Sequence, residues 1–497
     1  MMSKSYYASV ALVFIAFATT PVSAQFLEAP ADPPPSAKDL ALPVVEDIQP
    51  VLVDPENGTP IPLVDNASGD GANGYIKDLA AAELLGKAFF WDLQAGSKKE
   101  ACGSCHYHAG VDNRFQNQLS PGLNAAFDAT ATGGGENPNE ILTEDDFPFH
   151  QLFDPSDRDS TVLFDTDDIA SSAGTYHADF VDIVAGSSMD DCNVGCHPDP
   201  DGFIINGINT RRVEPRNTPT MINAAFNHRN FWDGRANNIF NGVDGFGKRN
   251  SNARVLEVQG GGVVQIEIAL QNASLASQAV TPPTSDKEMS CVNRPFSKIG
   301  KKLIAEMPLR LQQVHWNDSV LGGLSRWPNN GLDTNYTALI QAAISDRFWD
   351  SNALFDVAGN EIGSGVPANS NQYTLIEANF PLIWGLAIMA YERTLVSDDA
   401  PYDQWAEAPG GREPTEANTK GILTASQMRG MNLFFTNELQ VGEPPAGILG
   451  KRANCSTCHQ GPHFTTVSFP FTEEEESGEF PEQEVIIERM RRGDGVT

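Results

Sequence analysis

A chain of 497 residues is long enough for about two or three domains and a sizeable core. It carries 33 basic against 65 acidic side chains, a formal net charge of −32. So acidic a surface repels nucleic acid and excludes it as a partner, while it permits a basic or dipolar redox partner.

The chain opens "MMSKSYYASVALVFIAFATTPVSAQF". Lys4 forms a short basic start, Val10 to Ala18 an apolar run too short to span a membrane, and Val22-Ser23-Ala24 a small-residue cleavage site. Residues 1–24 are therefore expected to be an export signal, which would place the mature chain in the periplasm or otherwise outside the cytoplasm. No later stretch reaches transmembrane length, so the mature chain is expected to be soluble. Residues 25–60, rich in Pro, Asp and Val, read as a linker or a wrapping arm.

From residue 75, "YIKDLAAAELLGKAFFWD" has helical apolar spacing and runs up to "ACGSCH" at Ala101. Residues 121–185 are acidic and loop-like, and residues 240–270 are rich in Gly and Asn. Helical spacing returns in "PFSKIGKKLIAEMPLRLQQV" (295–314) and "TALIQAAISDRFW" (337–349). "EANFPLIWGLAIMAYERTLV" (377–396) predicts a buried helix. "ASQMRGMNLFF" (425–435) predicts another, leading into "ANCSTCH". The plan of amphipathic helix, loop and Cys-x-x-Cys-His thus occurs twice, which suggests two related units. Strand signals are few and short. The fold class predicted is mainly α, with long loop insertions.

A Cys-x-x-Cys-His run places two thiols one helical turn apart and an imidazole beside them, the arrangement that binds a c-type haem by two thioethers and an iron–nitrogen bond. Zinc would need a fourth protein ligand, and neither run supplies one nearby. The haem ligands expected are Cys102, Cys105 and His106, then Cys455, Cys458 and His459. A third run, "DDCNVGCHPD" (190–199), has one residue too many between its cysteines. Residues i and i+4 still share a helix face, which favours a third haem on Cys192, Cys196 and His197. The alternative is a disulfide from Cys291 to Cys192 or Cys196.

The chain resembles the bacterial diheme cytochrome c peroxidases and their relatives. The resemblance rests, in order, on "LLGKAFFWD…ACGSCH", "RNTPTMINAAFNHRNFWDGRA", "SQAVTPPTSDKEM", "AYERTLVSDDAPYDQW" and "LTASQMRGMNLFF…CSTCHQGPHFTT". It implies two cytochrome-c-like haem domains with the active site between them. The expected boundaries are 61–330 for the first haem domain with its insertions and 331–497 for the second, which looks truncated. The resemblance also implies residue roles. Trp232 matches an electron relay between haems, Glu288 an acid–base group over the peroxide site, and Asn217 a calcium ligand. The reaction implied is reduction of hydrogen peroxide, with electrons from a small donor such as a cytochrome c or cupredoxin.

Two departures from the pattern bear on this. The stretch "GFIINGINTRRVEPRN" lacks the histidine that caps the resting peroxidatic iron in many relatives, and insertions at about 115–190 and 237–275 exceed the compact plan. Those insertions, with Phe246 in an aromatic-rich stretch, keep open a diheme oxygenase or protein oxidant of the same family. The middle cysteine run keeps open a multihaem electron carrier.

Overall fold

The computed structural model describes residues 33–38, 40–47, 61–64, 74–114, 116–128, 137–193, 198–435, 455–457, 459 and 463–465. The expected export signal, Cys196, His197 and Cys458 lie outside them. The described residues form two compact units. The larger runs from Ala37 to Ala400; the smaller joins residues up to Ser36 with Pro401–Thr465.

The larger unit is organised by helices α1 (Leu79–Trp91), α2 (Cys102–Cys105), α3 (Ser274–Ala279), α4 (Phe296–Ile304), α5 (Tyr336–Ala343), α6 (Leu375–Ala378) and α7 (Phe380–Glu392). Every residue of α7 is buried, as a sequence apolar up to its last residue leads one to expect. Helix α1 packs along it, and α3 and α5 close the sides. Phe89 of α1 stacks on Trp384 of α7 at 4.7 Å and on Tyr336 of α5 at 5.0 Å between ring centres. The α1–α7 approach is close enough to require a glycine. A Cβ on Gly86 would sit 1.8 Å from the carbonyl oxygen of Ala387, so a side chain there would force the helices apart.

Each end of α1 has a physical cause. Asp78 caps the start by accepting the amide of Ala81 at 2.9 Å. At the other end the buried Asp92 carboxylate accepts the amides of Gln94 and Leu309 and the hydroxyl of Tyr336. It thereby fixes the chain's exit towards α2. Next, Gly103 of α2 lies so close to the Trp91 ring that a Cβ would meet it at 2.4 Å.

The expectation of a mainly α fold is overturned. Of the described residues 26% are helical and 18% are strand. The insertions read as loops fold instead as short antiparallel pairs. His150–Leu152 pairs with Val162–Asp165, Ala173–Tyr176 with Arg211–Val213, and Asp179–Asp182 with Asp191–Asn193. Val255–Gln259 forms a hairpin with Gly262–Ile266. Its two-residue turn, Gly260-Gly261, has both φ angles positive, as the tight turn of a right-twisted hairpin demands.

In the smaller unit, helices α8 (Pro401–Glu407) and α9 (Ala425–Phe435) surround Trp405, Leu423 and Met428. The proline-rich stretch docks here. Tyr402 donates to the carbonyl of Pro34 at 2.6 Å, and Ser36 donates to Asp403 at 3.1 Å. Among the described residues no helix is long and apolar enough to cross a membrane.

Candidate active site

In the larger unit Cys102, Cys105 and His106 line a cavity together with Gln278, Glu288, Glu392 and an apolar wall of Ala101, Ala279, Pro282, Met289 and Ile388. The turn is built by α2: the His106 amide donates to the Cys102 carbonyl at 2.9 Å, and Ser104 Oγ accepts the Ala101 amide at 3.0 Å. His106 Nδ1 lies 2.9 Å from the Pro219 carbonyl oxygen. A carbonyl only accepts, so Nδ1 carries the proton and Nε2 keeps its lone pair. Burial pushes the imidazole down to about 4, which keeps it neutral. Two free thiols and a neutral imidazole on one turn fit a covalently held haem.

The second motif repeats this plan in the smaller unit. The His459 amide donates to the Cys455 carbonyl at 2.9 Å, and His459 Nδ1 lies 3.0 Å from the Phe464 carbonyl oxygen. Cys455 is a free thiol.

Glu288 reaches the first cavity from the loop after α3. Its backbone is held by the inserted strand Ala173–Tyr176: the Thr175 amide donates to the Glu288 carbonyl at 3.0 Å. A Cβ on Gly174 would lie 2.1 Å from the Lys287 carbonyl oxygen, so only glycine allows the strand this close. Burial, and next the neighbouring Glu214 carboxyl, push Glu288 up to about 8, against the pull of Arg235. Glu214 is pushed up to about 7, mainly by burial, and its Oε1 has no hydrogen-bond partner among the described residues. The two carboxyls form a coupled pair that is reluctant to ionise twice.

The middle cysteine run is corrected by a covalent bond. Cys192 is joined to Cys291 in a disulfide that spans 99 residues of sequence. Its sulfur therefore cannot also form a haem thioether, and the third haem expected on Cys192, Cys196 and His197 loses its first attachment point. The physical reason is local. Cys192 sits in Asp191–Asn193, an extended strand paired with Asp179–Asp182, not in a helical turn.

The other singled-out residues lie outside this cavity lining. Trp232 is 62% exposed, and its Nε1 donates to the Asn217 carbonyl at 2.7 Å. The Asn217 side-chain amide donates to the Ala170 carbonyl at 3.1 Å. Phe246 is exposed. Sequence reasoning missed Glu214 and Glu392. For Glu392 a signal existed, since it is the one carboxylate in an otherwise apolar helix. For Glu214, in "RRVEPRN", there was none.

Residues 181–315 match the family model of di-haem cytochrome c peroxidases, CCP_MauG. Over this stretch the chain is similar to the di-haem cytochrome c peroxidases. The matched stretch contains Glu214, Trp232, Gln278 and Glu288. The similarity supports an oxidoreductase of a haem-c-binding kind. No curated protein matches it.

Proposed function

We propose that the protein is a periplasmic peroxidase that reduces hydrogen peroxide to water with electrons from a small redox protein, such as a cytochrome c or cupredoxin. The observation that carries this reading is the convergence of Glu288 with Cys102, Cys105 and His106 on one cavity. Haem bound there supplies an iron centre for O–O cleavage and for electron entry. His106 would hold the iron through Nε2. Glu288 takes a proton from one peroxide oxygen and returns it to the other, the work of a positioned general acid–base.

Among the described residues the cavity lining includes one histidine, His106. A haem held here through His106 would have Glu288, Gln278 and Glu392 in the same lining. The second haem, on Cys455, Cys458 and His459, would receive electrons, and Trp232 would relay them. Asn217, through its side-chain oxygen, is the proposed calcium ligand.

The test uses the full-length, haem-loaded chain and a reduced small cytochrome c. The expected result is oxidation of the cytochrome that depends on hydrogen peroxide. Oxygen consumption with a hydrophobic substrate, and no peroxide-dependent oxidation, would replace this reading with the oxygenase one.

A further inference from the structure

Helix α7 is apolar along its length until its last residue, Glu392. That side chain is 1% exposed. It lines the haem cavity, and its Oε2 has no hydrogen-bond partner among the described residues. Buried side-chain polar atoms in native proteins mostly have a hydrogen-bond partner, so an unpaired carboxyl oxygen calls for an explanation. Among the described residues its neighbour Arg393 does not neutralise it, since that guanidinium donates to the Pro43 carbonyl at 2.7 Å. The titratable groups that share the cavity lining with Glu392 are the Cys102 and Cys105 thiols, the His106 imidazole and the Glu288 carboxyl.

Haem attachment converts the Cys102 and Cys105 thiols to thioethers and commits the His106 lone pair to iron. Of the described lining that remains, Glu288 and Glu392 carry a proton that can be released near neutral pH. Reducing one hydrogen peroxide takes two electrons and two protons. The O–O bond breaks, two O–H bonds form, and two waters leave. Glu288 passes a proton from one peroxide oxygen to the other, so it adds none to the balance.

We propose that Glu392 is the residue that delivers protons into this cavity during peroxide reduction. The inference rests on the peroxidase reading. The electrons come from the small redox protein. Glu392 releases its proton, is left as a carboxylate, and takes up another from solvent before it delivers the second. Burial supports the role: it pushes this carboxyl up to about 8, so the group holds its proton at neutral pH.

The test compares Glu392→Gln, Glu392→Asp and Glu288→Gln in the haem-loaded full chain. Glutamine keeps the shape and removes the releasable proton. Glu392→Gln is expected to keep the parent's haem content and cyanide affinity. Its kcat falls by about 10²-fold or more, the scale of lost acid–base catalysis, while KM is unchanged. The alkaline limb of the pH profile, near the Glu392 titration at about 8, disappears. Proton uptake on reduction of the first haem, read with an indicator dye, falls. Glu392→Asp restores part of each.

Parent kcat and pH profile in Glu392→Gln would overturn the proposal. If that variant loses haem, the aspartate variant decides: recovery of turnover supports the role, and an aspartate variant that loads haem yet does not turn over overturns it. Glu288→Gln separates the two readings. Parent turnover in Glu288→Gln would sink the peroxidase reading itself. Loss in Glu288→Gln with parent behaviour in Glu392→Gln would remove only the role given to Glu392.

Discussion

Replacing Glu288 with glutamine is expected to lower peroxide-dependent turnover by about 10²–10⁴-fold, the range for a positioned acid–base group. The amide has nearly the same shape and hydrogen-bonding reach, so haem content should be unchanged. What it cannot do is accept a proton from peroxide. The pH profile gives a second readout. Glu288 and Glu214 are pushed up to about 8 and about 7, by burial first. The pair is thus largely protonated at neutral pH, and the base form grows as pH rises. Turnover by the parent should therefore rise with pH as the pair loses its first proton. The variant should lose this acidic limb. The stability sign follows from the same shift. A carboxyl raised in the folded state from its ordinary 4.5 contributes fully below that value. The contribution is lost as pH rises through about 8, so the parent is destabilised at alkaline pH and Glu288→Gln less so.

Asp190→Ala is expected to destabilise the larger unit by about 3–5 kcal/mol, the cost of breaking a buried ion pair and leaving its partner charged. Asp190 lies 2.7 Å from Arg294 and 2.8 Å from Lys302, and the three side chains are at most 2% exposed. Arg294 also donates to the carbonyls of Ala95 and Pro283 at 3.0 and 2.7 Å. The cluster and the Cys192–Cys291 disulfide tie the same two segments, one of them carrying Glu288. Removing Asp190 strands two cations in the interior, and the loop that holds Glu288 loosens. A lower urea midpoint at unchanged slope would report this. A variant with the parent midpoint would mean that the cluster is stabilised some other way.

Where a long apolar period existed, the sequence was readable. "LLGKAFFW" is α1, "FPLIWGLAIMAYE" is α7, and 425–435 is α9. The spacing over 295–314 overreached, because α4 stops at Ile304. The β pairs were hidden because each strand is only two to five residues long, too short for alternation to stand out. One carried a signal that a reading of 240–270 as merely rich in Gly and Asn passes over: "VLEVQGGGVVQI" has β-branched runs around a glycine turn. At the site, the two clean cysteine motifs were readable from local pattern, and Glu288 only through the family resemblance. The unpaired Glu214 was not, because its meaning comes from Glu288, which is far away in sequence. The Cys192–Cys291 pairing was visible only as one of several options, since spacing alone does not choose disulfide partners.

The most direct test of the central claim follows the first haem alone. A chain carrying Cys455→Ala and Cys458→Ala keeps only the motif at Cys102, Cys105 and His106 intact. Mixed with hydrogen peroxide in a stopped-flow spectrometer, it should show a fast haem absorbance change that is lost when Glu288→Gln is added. A first haem that stays unchanged with peroxide, in a chain that binds cyanide normally, would contradict the assignment of this cavity as the peroxide site.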